Sequence, residues 1–381
     1  MKHPRKSMLD KAREAARALA TREISYTYEN LPVRITNASY KKILNWLLVE
    51  LGVTLKLRRP LGFPTFLQVE PTTLCNLRCT YCPVSLELPK ATGNLDPALF
   101  ERMLDEMGEY FLTLVLWGWG EPFVSPHVYD IVRSAKKRGI HVISSTNGHL
   151  FAKGDHARRL VESGIDSLIV SIGGATEESY ARLRGLKMDE AFDGVRRIVD
   201  EKRRQQSSTP FISLSMIVSQ YNEVEIPALK STAQTLGVDA LSLKTMNTCT
   251  VRPETQEDHP IPAGSGYQRF FYEGNDRVRA KHNPCKAIWQ KTNLRWDGQI
   301  TPCTYDFDSA RAMGNVKTSS MREIWRNAAY TLMRREFRKD PADISICKNC
   351  TYAFEGGDYP DVIAETLYLD GSPPGLAPRN G

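Results

Sequence analysis

The chain has 381 residues, 41% hydrophobic and 25% charged, with a formal net charge of +7. That length and balance exclude a disordered chain and suit a globular protein with a substantial core and room for two domains. No dense Lys/Arg block is present, so no nucleic-acid partner is expected; the modest positive excess suits an anionic ligand or a membrane surface.

The N-terminus, MKHPRKSMLDKAREAARALA, is charged and lacks the apolar stretch and cleavage site of a secretory signal. A cytoplasmic location follows as the expectation, and there thiols stay reduced, so eight cysteines read as metal ligands rather than a disulfide framework. The run Ile43–Leu57 is too short to span a bilayer and carries Glu50 and Lys56. Tyr40, Ile43, Leu44, Leu47, Leu48 and Leu51 recur at helical spacing, predicting an amphipathic helix docked on the main domain. Its basic flanks Lys41, Lys42, Arg58 and Arg59 keep peripheral membrane contact or partner docking as the alternative. Residues 1–60 are thus read as an N-terminal helical extension.

From about residue 61 the pattern alternates. Strands are predicted at Phe66–Val69, Leu112–Leu116, His141–Ser145, Ser167–Ile172, Phe211–Val218 and Ala240–Lys244, with helical segments near 96–109, 126–138, 155–164, 188–206 and 223–236. Strands separated by helices specify βαβ units and a parallel sheet, whose ligands sit at the carboxyl ends of the strands. Three strands run directly into EPTTLCNLRC, GWGEP and STNG, which puts the chemistry there. Residues 249–283, rich in proline and glycine, read as a linker; 284–357 form a cysteine-bearing domain and 358–381 a loosely ordered tail.

The strongest single signal is Cys75-Asn-Leu-Arg-Cys79-Thr-Tyr-Cys82. Three thiolates on one loop can wrap a cubane cluster and leave its fourth iron open to another molecule. A structural zinc site, which usually closes with four ligands, is the competing reading.

This C-x3-C-x2-C pattern, with aromatic Tyr81 before the last cysteine, resembles the signature of the radical S-adenosylmethionine (SAM) superfamily. The resemblance runs over roughly residues 64–245 and implies a partial (β/α)6 TIM-like barrel, a 4Fe-4S cluster on Cys75, Cys79 and Cys82, and SAM chelated at the open iron. It also implies reductive cleavage of SAM to methionine and a 5′-deoxyadenosyl radical, driven by an external electron donor of flavodoxin or ferredoxin type. Trp117-Gly118-Trp119-Gly120-Glu121-Pro122 looks like the family's GxGEP segment, which receives the methionine amino group; the glycines admit close backbone approach and Glu121 adds charge for the ammonium. Ser145 and Asn147 lie in a run similar to the family's STNG, and Ser171 precedes Gly173 where relatives often carry aspartate, so no carboxylate is transferred there. Arg184 resembles the arginine that pairs with the methionine carboxylate, a task suited to a guanidinium.

Cys285, Cys303, Cys347 and Cys350 can close a second cluster or a zinc ion. With the Asp297-Gly298 turn before Cys303 and Met321-Arg-Glu-Ile-Trp325 after it, they resemble the auxiliary-cluster regions called SPASM and its shortened form, twitch; a second 4Fe-4S cluster is implied. No cysteine follows Cys350, which favours twitch.

Cys249 belongs to neither set and follows the sixth strand. It reads either as an apolar filler or as a thiol hydrogen donor, which would make the enzyme an epimerase. The expected reaction is hydrogen abstraction from a small hydroxylated substrate of sugar or aminocyclitol type, ending in dehydrogenation or epimerisation. A peptide or protein side chain is the alternative substrate, and a non-catalytic iron–sulfur or zinc module the distant one.

Overall fold

The computed structural model describes residues 8–80, 82, 84–85, 91–246, 262, 266–279, 285–354 and 363–369. Tyr81 and Cys249 lie outside the described residues. The chain opens with α1 (Met8–Thr21), a hairpin of β1 (Ile24–Tyr28) and β2 (Leu31–Ile35), and α2 (Tyr40–Thr54). Five strand–helix units and a sixth strand follow: β3 (Phe66–Val69) and α3 (Pro97–Met107); β4 (Thr113–Leu116) and α4 (Val128–Lys137); β5 (His141–Thr146) and α5 (His156–Glu162). Then come β6 (Ser167–Ile172) with α6 (Glu177–Arg184) and α7 (Met188–Arg204), β7 (Phe211–Val218) with α8 (Ile226–Leu236), and β8 (Ala240–Thr245). A two-stranded hairpin, β9 (Tyr272–Glu273) and β10 (Asp276–Arg277), lies within the expected linker. The cysteine-bearing region holds α9 (Ala287–Gln290), β11 (Lys291–Leu294), β12 (Gln299–Thr301), β13 (Gly314–Asn315), α10 (Met321–Arg326), α11 (Ala328–Lys339) and α12 (Ser345–Lys348); β14 (Ile363–Tyr368) ends the described chain.

Strands β3 to β8 pair in parallel in sequence order, the parallel sheet that the alternation specified and the partial (β/α)6 barrel that the resemblance implied. Alternate residues on each strand divide the labour. Leu67, Leu114, Val142, Leu168, Leu214 and Leu241 pack with the helices in one continuous core. The opposite set (Gln68, Thr113, Ile143, Ile169, Ser213 and Ser242 among them) faces the concave side.

Two additions depart from the expected organisation. The sheet has ten strands, because β11 pairs in parallel with β3 and carries β12 and β13 with it. The cysteine-bearing region is therefore fused to the barrel as a seventh parallel strand. At the other edge β14, within the tail expected to be loose, pairs antiparallel with β8. Both edges of the six-stranded core are thereby covered, which removes open templates for mispairing.

The N-terminal segment is not purely helical. The β1–β2 hairpin turns at Glu29 and Asn30, both with positive φ (48° and 59°), the conformation a two-residue primed turn requires. Ile24, Leu31, Val33 and Ile35 pack with Leu112, Ile143 and Ile169 in a second core on the concave face. Tyr28 reaches Phe66 and Trp117, so the hairpin plugs the barrel from its amino-terminal end.

Helix α2 forms as expected but docks by a different face. Lys42, Ile43, Asn45, Val49 and Gly52 are buried, whereas Tyr40, Leu44 and Leu51 are exposed. The reason is polar anchoring. Lys42 Nζ donates to the carbonyls of Arg138 and Gly139 at the end of α4, and Asn45 bonds both the N–H and the C=O of Phe63. A cation at a helix C-terminus and a fully paired amide outweigh an apolar stripe.

Burial pushes the Lys42 ammonium down to about 8, against the opposing pull of Glu109. The unfolded chain then binds more protons than the folded one between about pH 8 and the ordinary lysine value of 10.5, so this group's contribution to stability rises with pH across that window. Lys42→Met is expected to remove the rise. Melting temperatures taken from about pH 8 to pH 10 should climb less, or fall more, in the variant than in the parent. Parallel curves would contradict it. Among the described residues no helix is long and apolar enough to cross a membrane.

Candidate radical site and second cysteine set

The cysteine loop leaves β3 at Val69 and is held against the ends of β4, β5 and α6. Glu121 N–H donates to the Leu74 carbonyl at 2.9 Å, and Asn147 Nδ2 donates to Asn76 Oδ1 at 2.7 Å. On the other side Thr80 N–H and Oγ1 donate to the Leu183 and Arg182 carbonyls at the end of α6. Cys75, Cys79 and Cys82 are all free thiols. Burial pushes Cys75 up to about 11 and raises Cys82, and the charges of neighbouring thiols add to both shifts. Three thiols thus sit within one another's fields on a single loop, the donor set an iron–sulfur cluster needs, and loading it must release their protons.

Gly118 and Gly120 are required by contact rather than by unusual dihedrals. A Cβ on Gly120 would stand 2.5 Å from the Thr72 carbonyl oxygen and 2.6 Å from that of Leu74; one on Gly118 would meet Glu70 Cγ at 2.6 Å. Glu121 does not project into the cleft. Its carboxylate is buried and accepts from Phe123 N–H and, at 2.8 Å, from Asn147 N–H; burial pushes it up to about 7 despite those bonds. In this arrangement the side chain ties β4 to β5, and the glycine-flanked backbone is what faces the cysteine loop.

Arg184 ends α6 beside the cysteine loop. Its Nη2 donates to Ser171 Oγ at 2.6 Å and to the Ile172 carbonyl, and Nη1 reaches Cys79 Sγ at 3.6 Å. Gly173 explains the missing aspartate, since a Cβ there would stand 2.7 Å from Arg184 Cγ. Ser145 is half-buried at the end of β5. Glu225 was not foreseen: it accepts from Ala175 N–H and Ser179 Oγ, fixing the start of α6 and so Arg184 at its end.

Cys285, Cys303, Cys347 and Cys350 come from three segments, and none of them forms a disulfide. Burial pushes Cys285 up to about 12 and Cys303 to about 11, and raises Cys347 and Cys350; Cys285, Cys303 and Cys347 also feel the charges of others in the set. Four thiols gathered in this way, Cys350 buried and the other three half-buried, fit a closed cluster. Among the described residues no three Cys, His, Asp or Glu side chains form a single-ion site.

The two cysteine sets are joined by Trp119, within the GWGEP segment, and by residues that carried no sequence signal. Trp119 Nε1 donates to the Thr304 carbonyl beside Cys303, and Thr304 Oγ1 donates to Gln68 Oε1 at 2.6 Å. Arg295 lies 3.6 Å from Glu70 and donates to the Phe307 carbonyl. These side chains enclose a cavity of about 20 Å³, room for about one water. Asn293, in register with Gln68 on the adjoining strand, lines it while buried, and neither of its amide atoms has a partner. Only the β3–β11 pairing brings Asn293 here.

A parallel partial barrel with a three-cysteine loop at its strand ends, fused to a four-cysteine region, defines a SAM-dependent radical enzyme with an auxiliary iron–sulfur site. The chain belongs to the radical SAM superfamily, whose family model matches residues 69–229, and carries a SPASM iron–sulfur cluster-binding domain at 285–351. Its cofactors are accordingly SAM and 4Fe-4S clusters, which replaces the zinc alternatives. It is 26% identical over 301 residues to the tungsten-containing aldehyde ferredoxin oxidoreductase cofactor-modifying protein of Pyrococcus furiosus, covering 71% of this chain and 83% of that one. It is 24% identical to the PqqA peptide cyclase of Gluconobacter oxydans over 279 residues, 69% of this chain and 76% of the relative. In structure it is similar to Streptococcus suis SuiB bound to precursor peptide SuiA (TM-score 0.57, 15% identity, 86% of this chain and 79% of SuiB).

Proposed function

We propose that this radical SAM enzyme abstracts a hydrogen atom from a compact polar substrate, of hydroxylated sugar or aminocyclitol type, held on the concave face of the barrel. When bound at Cys75, Cys79 and Cys82, the cluster supplies the electron that splits SAM. Arg184 and Ser171, with the backbone at Gly118–Gly120, are assigned to hold the methionine end. The observation that carries the substrate reading is Asn293, a buried amide whose donor and acceptor have no partner among the described residues; it lines the one-water cavity between the two cysteine sets and would meet the substrate through that water. The serines on the concave face extend the polar lining; Ser213 and Ser242 already share a hydrogen bond of 3.0 Å. A dehydrogenation would use one SAM per product and shed one further electron and one proton; an epimerisation needs a hydrogen donor instead, the role considered for Cys249. An electron donor of flavodoxin or ferredoxin type completes the reading.

Modification of a peptide side chain is the second reading, favoured by the likeness to PqqA peptide cyclase. The two separate by isotope transfer. Reconstituted enzyme, SAM and reductant are incubated anaerobically with extract from cells grown in deuterated medium, split into a small-molecule filtrate and a peptide fraction. Deuterium in 5′-deoxyadenosine should come from the filtrate. Label from the peptide fraction alone would reverse the order of the two readings.

Asn293→Leu removes both hydrogen-bonding atoms at similar volume. Turnover of the substrate so identified is expected to fall about 10- to 100-fold, the cost of one to two lost buried hydrogen bonds, while SAM cleavage without substrate is unchanged. Equal turnover would remove Asn293 from the substrate site.

A further inference from the structure

We infer that the N-terminal unit is a docking face for an anionic lipid surface. Seven of the large hydrophobic side chains left exposed among the described residues (Leu9, Leu19, Tyr40, Leu44, Leu51, Leu55 and Leu61) fall within the first 61 residues. On α2 they form a stripe: Tyr40, Leu44 and Leu51, with Leu55 just past its end, are separated by four, seven and four residues, so they share one narrow face. Their exposures of 62%, 58%, 45% and 55% show that no described element covers this face, although the Arg22 guanidinium lies 5.9 Å from the centre of the Tyr40 ring.

The stripe ends in a basic corner. Lys56, Arg58 and Arg59 are exposed beside Leu55 and Leu61, and no carboxylate among the described residues pairs with any of the three. Residues 8–61 carry ten Lys and Arg against five Asp and Glu, so most of the chain's excess positive charge is here. A row of leucines ending in unpaired cations suits an interface of acyl chains and anionic headgroups, with the long basic stems lying along the apolar surface.

The face is also held rigidly. The indole of Trp289 donates to the Leu57 carbonyl at 2.7 Å, that of Trp325 to the Gly62 carbonyl at 3.0 Å, and Gln290 to Glu50. Lys11 of α1 donates to Thr54, which sets the first helix beside the end of the second. The leucines are thereby presented in a fixed orientation relative to the barrel and the cysteine-bearing domain, with no ordering left to be done on contact. With no spanning helix among the described residues, the attachment is peripheral.

The test is sedimentation of the full, anaerobically reconstituted chain with vesicles of equal parts phosphatidylglycerol and phosphatidylcholine, against phosphatidylcholine alone. The chain should pellet with the anionic vesicles and be released by salt. Leu44→Gln/Leu51→Gln, and separately Arg58→Gln/Arg59→Gln, should each weaken binding about tenfold or more. Neither pair touches the radical site, so SAM cleavage in detergent-free buffer should be unchanged. Failure to pellet with anionic vesicles, or pelleting that the leucine pair leaves intact, would overturn the inference. So would a dimer in sedimentation velocity that the leucine pair splits into a monomer without affinity for lipid, which would assign the stripe to a second copy.

Discussion

Replacing Cys79 with alanine is expected to abolish SAM cleavage while leaving the fold in place. Cys79 is half-buried, with Arg184 Nη1 reaching its sulfur at 3.6 Å, and it belongs to neither core cluster, so its loss takes little from the packing. Two remaining thiolates cannot retain a cubane that already has one iron without a protein ligand. With a cubane on each set, iron should fall from about eight to about four per chain. Loss of a ligand must cost more than the 10- to 100-fold typical of residues behind the ligands, so 5′-deoxyadenosine should drop by about a thousandfold or more. Cys303→Ala is the matched control. It too should lose about four irons, yet keep SAM cleavage in the absence of substrate, because its set stands on the far side of Trp119 from the cysteine loop. Retained cleavage in Cys79→Ala, or equal loss of cleavage in both variants, would dissolve the division of labour between the two sets.

The barrel was legible because its strands obey a local rule. In Phe211–Val218 the sequence FISLSMIV alternates, sending Ile212, Leu214 and Met216 to the helices and Ser213 and Ser215 to the concave face. The cysteine loop and GWGEP stood out because each is a short motif at the end of such a strand, and Arg184 because it ends the helix that follows β6. What escaped notice depended on partners distant in sequence. Lys291–Leu294 is short and polar, and only its pairing with Phe66–Val69, more than 200 residues earlier, makes it a barrel strand and brings Asn293 to the site. Helix α2 misled for a similar reason: periodicity identified the helix, but Lys42 and Asn45 chose its buried face through carbonyls at Arg138, Gly139 and Phe63. The N-terminal hairpin was within reach. Ile24–Ile35 alternates around Glu29-Asn30, a pattern that signals two strands and a tight turn, but it sits between two helical stretches that dominated the reading. Glu121 shows the limit of motif transfer. Its position was foreseen, its orientation was not, because nothing in GWGEP reveals that the Asn147 and Phe123 amides would claim the carboxylate.

The same loop supports a prediction sharper than removal of a ligand, because it alters no donor. Gly120→Ala adds one methyl group that would lie 2.5 and 2.6 Å from the carbonyl oxygens of Thr72 and Leu74, the backbone that leads into Cys75. Neither oxygen can swing aside as a side-chain tip can, so the GWGEP loop and the cysteine loop must separate, straining the 2.9 Å bond from Glu121 N–H to Leu74. Overpacking of this kind costs about 1–3 kcal/mol, which a barrel of this size tolerates. Displacement of about 1 Å at the site costs about a hundredfold in rate. Gly120→Ala should therefore keep near-parental iron and melt within a few degrees of the parent, yet cleave SAM about a hundredfold more slowly with a raised KM for SAM. Gly118→Ala presses instead on the Cγ (2.6 Å) and Cβ (2.7 Å) of one residue, Glu70, which precedes the cysteine loop rather than leading into Cys75, and should lose less. The order of the two variants is the discriminating result. If Gly118→Ala proves the more damaging, the close contact with the cysteine loop is not what the second glycine is there to permit, and Glu70 rather than the backbone governs the approach of SAM.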